Sequence, residues 1–254
     1  MRGIKKPWPP RDVSPDAQPP RTMQKAETDF LAALAATADK AGCARANFDD
    51  LNKTKLRAVL YIEQGALCVY CERRVAEGHP APRIDHWRPL GKNPELALHW
   101  RNLYLSCPTE RTCDCRKHES AFRADDHDPE LPWPVDHPYE RSVGFTSLGE
   151  MYVRSDAPLD EAQRKALVLT IGAPHDDRTK DNGILNLNHP ALVAARTAAI
   201  DSERSRLGRD FAGRTASRQE RDNIAANLLG KDQRPPFVSV RVVYLQKTLG
   251  QGRP

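Results

Sequence analysis

Cys68-Val69-Tyr70-Cys71 opens a span that runs through Ile84-Asp85-His86-Trp87, Asn102-Leu103 and Cys107 to Cys113-Asp114-Cys115. A Cys-x-x-Cys pair brings two thiolates to one tetrahedral ion, and zinc then takes two more ligands from elsewhere in the chain. Cys107 supplies one and Cys113 or Cys115 the other. Cys113 is the choice that leaves Asp114 and Lys117 available for other work, with Cys115 as the fallback. A closed four-thiolate site has no position for water, so an ion held there staples the fold and performs no chemistry. The surrounding span carries few aliphatic side chains, so this coordination is expected to supply most of its local stability.

Between the cysteine groups stands Asp85-His86. A neutral imidazole near pH 7 can act as a general base, and a carboxylate is a hard oxygen ligand suited to Mg²⁺ or Mn²⁺. Neighbouring side chains on an extended strand point to opposite faces. One can therefore meet a metal while the other reaches a water, if the backbone bends around a phosphate. Asn102 does not titrate, and its amide is suited to orienting the loop that carries His86. A second ligand for a hard metal is expected from Asp114 or His118, at the start of a short helix. Lys117 and Arg116 offer positive charge to a phosphate. Asp-His pairs are common in sequences without any role; this one is marked by its place between the cysteine groups, with Asn102 after it. His79 and His99 are read as ordinary histidines.

The whole chain has 254 residues, six cysteines, 39% hydrophobic and 29% charged residues, and a net charge of +5. With a mean hydropathy of -0.67 and a pI near 8.9, it is more polar than an average globular chain, so the core is expected to be modest. The mild positive balance permits a phosphate-rich partner without demanding one. No run approaches the roughly 18 apolar residues of a membrane span. The opening Met1-Arg2-Gly3-Ile4-Lys5-Lys6 lacks the apolar stretch of a secretory signal, so a cytoplasmic protein is expected. In a reducing compartment, clustered cysteines are metal ligands rather than disulfides. Cys43 stands apart as a small apolar residue.

Around this centre the chain divides into five parts. Residues 1–21 are rich in proline and read as an extended arm, with Trp8 as an anchor. Residues 22–63 are helical: Met23, Ala26, Phe30, Leu34 and Ala38 recur at helical spacing up to Gly42. A second helix carries Leu56, Val59, Leu60 and Glu63, capped by Asn47 or Asp50 and closed at Gly65. Residues 64–122 hold the metal-ligand candidates. Residues 123–158 contain an acidic, proline-bearing loop, where Asp125, Asp126 and His127 are read as solvated rather than as a second metal site. A hairpin around Gly149 follows. Residues 159–254 are helical, with starts at Asp160, at Asn188-His189-Pro190 and at Ser217. Phe237 to Leu245 suits a strand by its β-branched content and a helix by its spacing.

Cys68-x-x-Cys71, Ile84-Asp85-His86-Trp87-Arg88-Pro89, Trp100-Arg101-Asn102-Leu103, Ser106-Cys107 and Cys113-Asp114-Cys115-Arg116-Lys117 resemble an HNH endonuclease of the zinc-stapled type. The chain is similar in particular to the HNH proteins of Septu anti-phage systems and to HNH endonucleases associated with retrons. The opening Met1-Arg2-Gly3-Ile4-Lys5-Lys6-Pro7 and the later Gly183-Ile184-Leu185-Asn186-Leu187-Asn188 share in that similarity. The resemblance implies an α+β protein with a zinc-stapled ββα-metal core between N-terminal and C-terminal helical segments. Two strands would carry Asp85-His86 and Asn102, with a helix near Lys117. It implies His86 as base, Asp85 as metal ligand and Asn102 as orienter. It also implies an ATPase partner. Relatives often place His or Asn where this chain has Asp114, a departure that bears on metal preference.

The expected activity is metal-dependent hydrolysis of phosphodiester bonds in DNA or RNA, with a 5′-phosphate product if the HNH mechanism holds. The rival from another class is a non-catalytic zinc module that binds nucleic acid or protein; it needs the cysteines but not Asp85 or His86. A thiol redox protein built on Cys68 and Cys71 is a third reading, which zinc held through four thiolates would exclude.

Overall fold

The chain leaves its first helix, α1 (Arg21–Ala36), and enters its second, α2 (Lys40–Asp49), through a tight polar break. Thr37 Oγ1 accepts the Asp39 N–H at 3.2 Å, and the Asp39 carboxylate accepts from Gly42 N at 2.9 Å. Gly42 therefore lies inside α2 and does not end the first helix. The aspartate cap three residues before it decides the boundary. Asn52, rather than Asn47 or Asp50, caps α3 (Lys53–Glu63) by accepting Lys55 N at 3.0 Å. Gly65 and Ala66, both at φ 62°, then turn the chain into Cys68-Val69-Tyr70-Cys71.

A computed structural model of the protein describes residues 21–75, 81–117, 131–137, 139–172 and 183–250. The proline arm apart from Arg21, His79, His118 and the Asp125-Asp126-His127 run lie outside them.

β1 (Arg83–His86) and β2 (Leu103–Ser106) pair antiparallel, with Asp85 opposite Tyr104 and His86 opposite Leu103. Between them run two short 3₁₀ turns, and Asn102 ends the second, directly before β2 rather than on it. The short helix α4 (Cys113–Lys117) follows. One turn of helix, α5 (Tyr139–Ser142), leads into the hairpin of β3 (Val143–Phe145) and β4 (Met151–Val153). Gly149 in its turn has φ 82°, and a Cβ there would lie 2.6 Å from the Val193 carbonyl oxygen, so no larger residue fits.

The remaining helices begin where their caps place them. Asp160 and Gln163 form a capping box for α6 (Glu161–Ile171), which Gly172 ends at φ 85°. Pro190 opens α7 (Pro190–Asp210), with His189 as its cap. Ser217 and Glu220 box the start of α8 (Arg218–Gly230). Phe237 sits in a turn at φ 56°, and from Val238 on the 237–245 segment is helical, the start of α9 (Val238–Gly250). Its start is capped from far away: Ser239 N donates to Glu72 Oε2 at 2.8 Å.

The largest hydrophobic cluster joins Leu60 of α3, Tyr70, Trp87, Leu103 and Leu105 of β2, Met151 of β4, Leu167 of α6, Leu192 of α7 and Val240 of α9. Fully burying each such aliphatic or aromatic group contributes about 1.5–3 kcal/mol. The cysteine span thus borrows its core from both flanking helical segments. The result is a mixed helix and small-sheet architecture, and no described helix is long and apolar enough to cross a membrane.

Candidate metal centre and adjoining polar cluster

Cys68, Cys71, Cys107 and Cys113 converge, buried, with their ligand atoms all within 4.8 Å of one another. Cys68 Sγ lies 3.8 Å from Cys113 Sγ, and Cys71 Sγ lies 3.7 Å from Cys107 Sγ. A tetrahedron with Zn–S bonds of about 2.3 Å has S···S edges of about 3.8 Å. The four sulfurs therefore fit zinc. Cys113 and not Cys115 completes the group.

Two backbone devices set this geometry. The first knuckle closes through Cys68 N to Arg73 O at 2.9 Å and Glu72 N to Cys68 O at 3.1 Å, with Glu72 at φ 61°. Val69 N donates to Leu105 O at 3.0 Å, which fixes the knuckle to β2. The second arm is held from the far end of the chain: Cys113, at φ 55°, donates its N–H to Leu185 O at 2.9 Å. Hydrogen bonds from Cys113, Cys68 and Cys71 hold the Cys107 thiol far below its usual pKa. Burial pushes the Cys113 thiol up. The Cys71 thiol is likewise pushed up, by its bond to Cys107 first, so a cation binding there would have to displace the protons these thiols hold.

Asp85 sits beside this centre in a buried polar cluster. It accepts the Tyr70 hydroxyl proton at Oδ2 and Lys117 Nζ at 3.1 Å (Oδ1) and 2.9 Å (Oδ2). Lys117 also reaches the His86 carbonyl at 3.1 Å. Burial raises the Asp85 pKa to about 6; the Asp114 charge adds to the rise and Lys117 opposes it. Asp114, itself buried, pairs with Arg83 and donates its N–H to Ser106 Oγ at 3.3 Å. Two buried carboxylates thus lie close enough to repel, and each is compensated by a cation, Asp85 by Lys117 and Asp114 by Arg83.

His86, the next residue on β1, has a different surrounding. Its ring packs edge-on against Phe48 with centroids 4.5 Å apart, and Nε2 lies 2.9 Å from Ala97 O. A carbonyl only accepts, so Nε2 carries the proton and Nδ1 is the bare nitrogen. Burial lowers the His86 pKa to about 4, against the bond to Ala97, which raises it. The ring is therefore neutral at pH 7.

Asn102 is fully buried. Its Oδ1 accepts Arg88 N at 2.6 Å, while Nδ2 donates to the Arg88 and Leu96 carbonyls at 3.1 Å each. Trp87 N donates to Asn102 O at 2.8 Å. This one amide ties the chain just after His86 to the turn before Ala97, the residue that fixes the imidazole. His99, assigned no role, pairs with Glu27 at 2.8 Å.

The structure thus gathers Asp85, Asp114 and Lys117, sets His86 next to them on the strand, and braces the loop after His86 with Asn102. Sequence reasoning did not single out Tyr70, Ser106, Glu72 or Arg196. Tyr70 carries a signal of a kind, since it stands inside the Cys-x-x-Cys pair. Arg196 carries none: it is one arginine in a long helix and becomes notable only when found 1% exposed.

No protein-family model matches the chain. Over 50 residues it is 38% identical to the Septu protein PtuB of Bacillus thuringiensis, a stretch covering 20% of this chain and 18% of that relative. The similarity is weak and partial, and it points toward a Septu-related protein.

Proposed function

We propose that this chain is a metal-dependent endonuclease of the HNH type, acting in anti-phage defence together with an ATPase partner. The observation that supports it most is the closeness of buried Asp85 and Asp114, with a neutral, tautomer-fixed His86 at the adjacent strand position. Asp85 and Asp114 would hold Mg²⁺ or Mn²⁺, with His118 as a further candidate ligand. Such an ion supplies charge stabilisation to a phosphate oxygen.

The chain's own groups do the rest. His86 Nδ1 takes a proton from the attacking water, and the Nε2–H bond to Ala97 O steadies the imidazolium that forms. Asn102 holds the following loop so that the ring keeps its aim. Lys117, already within 2.9 Å of Asp85 Oδ2, offers a point charge to the scissile phosphate. A zinc held by Cys68, Cys71, Cys107 and Cys113 would stay outside the chemistry and steady the knuckle that carries Tyr70, which donates to Asp85. The similarity to a Septu protein supports the defence setting and the expectation of a partner.

One observation favours the non-catalytic reading. Asp85 is already engaged by Tyr70 and Lys117, as a purely structural buried carboxylate would be. The deciding experiment incubates the purified full-length protein, with and without its genomic neighbour, with labelled DNA and RNA plus Mg²⁺ or Mn²⁺. Cleavage that stops with EDTA, returns with added Mg²⁺ and is lost in His86→Ala supports the nuclease. Nucleic-acid binding with no cleavage under any of these conditions supports the zinc module instead.

A further inference from the structure

We infer that Arg196, on α7, is a positioning residue of the four-cysteine zinc site, acting through the 185–188 segment. The inference rests on the zinc reading of those cysteines.

Arg196 is 1% exposed. Its Nε donates to Gly149 O at 2.5 Å, and its Nη2 to Leu187 O at 2.7 Å and Asn188 Oδ1 at 3.3 Å. Its Nη1 is buried with no hydrogen-bond acceptor among the described residues. The segment it clamps is the one that supports the second arm of the zinc site. Leu185 O accepts Cys113 N at 2.9 Å, and Asn186 Nδ2 donates to Arg111 O at 3.0 Å. Arg111, Cys113 and Asn186 all have positive φ, at 60°, 55° and 47°. Such conformations persist only where the surroundings hold them. Burial lowers the Arg196 pKa to about 10, which leaves the guanidinium charged at neutral pH.

The test is a zinc competition titration of the full chain against a chromogenic chelator, with the Co²⁺ thiolate charge-transfer band as a second readout. Arg196→Gln should weaken zinc binding about 10- to 100-fold, the range for lost outer-shell partners. Arg196→Lys keeps a donor to part of the segment and should lose less. Glu203→Gln, on the same helix as Arg196, breaks a buried pair with Arg241 of α9 and should leave zinc affinity unchanged. Wild-type affinity in Arg196→Gln, or an equal loss in Glu203→Gln, overturns the inference. Should Arg196→Gln fail to fold, Arg196→Lys decides: faster zinc release supports the role, and an unchanged rate overturns it. A wild-type chain that binds neither zinc nor cobalt removes the four-cysteine reading and this inference together, whereas binding that ignores Arg196 removes the inference alone.

Discussion

Tyr70, which stands between Cys68 and Cys71, donates its hydroxyl proton to Asp85 Oδ2. The knuckle and the polar cluster are therefore joined by one side chain rather than merely adjacent. Tyr70 also stacks on Trp87, with ring centroids 5.7 Å apart and an interplanar angle of 18°. Burial and the Asp85 charge push its pKa well up, so it remains a donor.

Tyr70→Phe should keep the ring packing and the zinc while removing that donor. Hydrogen bonds to charged groups contribute about 1.5–3 kcal/mol, and a loss of that size is expected in urea denaturation. Zinc content should stay at the wild-type level. Zinc loss in Tyr70→Phe would show that the tyrosine supports the knuckle and not the carboxylate.

Cysteine replacement separates the ligands from their neighbour. Cys71→Ser and Cys113→Ser should each lose bound zinc and destabilise the chain, because the ion's binding energy is folding energy here. Cys115→Ser should bind one zinc per chain as the wild type does, since Cys115 lies outside the convergent group. Metal analysis of the three purified variants checks this.

Spacing made the converging cysteines legible in the sequence, while Cys113 was preferred over Cys115 for leaving Asp114 and Lys117 to other work, and the structure places Cys113 in the group. Spacing could do so because a tetrahedral ion constrains thiolate positions more tightly than any helix propensity constrains a side chain. The helix starts at Asp160, Ser217 and Pro190 were legible for a similar reason: a cap acts within three or four residues. What was not legible is long-range. Glu72 caps α9 across 167 residues of sequence, so the 237–245 segment read equally well as strand or helix. The break at Asp39 was local but masked by a hydrophobic period that runs through it. Arg196 and Asn188 act on carbonyls and amides presented by a distant hairpin, and no pattern in their own segment announces that.

Glu72→Ala should free the first turn of α9. An N-terminal cap contributes roughly 0.5–2 kcal/mol, and the loss falls on Ser239, whose N–H and hydroxyl both donate to Glu72. Faster amide exchange in the first turn of α9, with α6 unchanged, is the expected result. Equal acceleration throughout the chain would mean that Glu72 acts on global stability instead.

Asn102→Ala should be among the more damaging single changes outside the cysteines. It removes the acceptor of Arg88 N and one donor each to the Arg88 and Leu96 carbonyls at a half-buried place, while the Leu96 carbonyl keeps His99 N. Each buried group left unsatisfied costs about 1–3 kcal/mol. Asn102→Asp retains the acceptor for Arg88 N but loses both donors, so it should recover only part of the stability. Thermal denaturation of the two variants, with zinc content as a control, reads this directly.

The His86 shift makes a signed prediction for pH. Its folded pKa is about 4 against about 6.5 unfolded, so between these values the unfolded chain binds more protons. His86 therefore contributes stability that is fully present above pH 6.5 and is lost as pH falls toward 4. Asp85 has the opposite sign: its folded pKa near 6 exceeds the unfolded value of about 3.9, so its contribution declines as pH rises through the same window. The two partly cancel in the wild type. Subtracting the unfolding free energy of His86→Ala from that of the wild type isolates the histidine. That difference should rise from pH 4 to 6.5 and level off above. A difference that is flat across the window would mean that His86 titrates normally. On the proposed reading, the same His86→Ala chain should cleave about 10²- to 10⁴-fold more slowly. The wild-type rate should show no inflection near pH 6.5, because the imidazole is already neutral there.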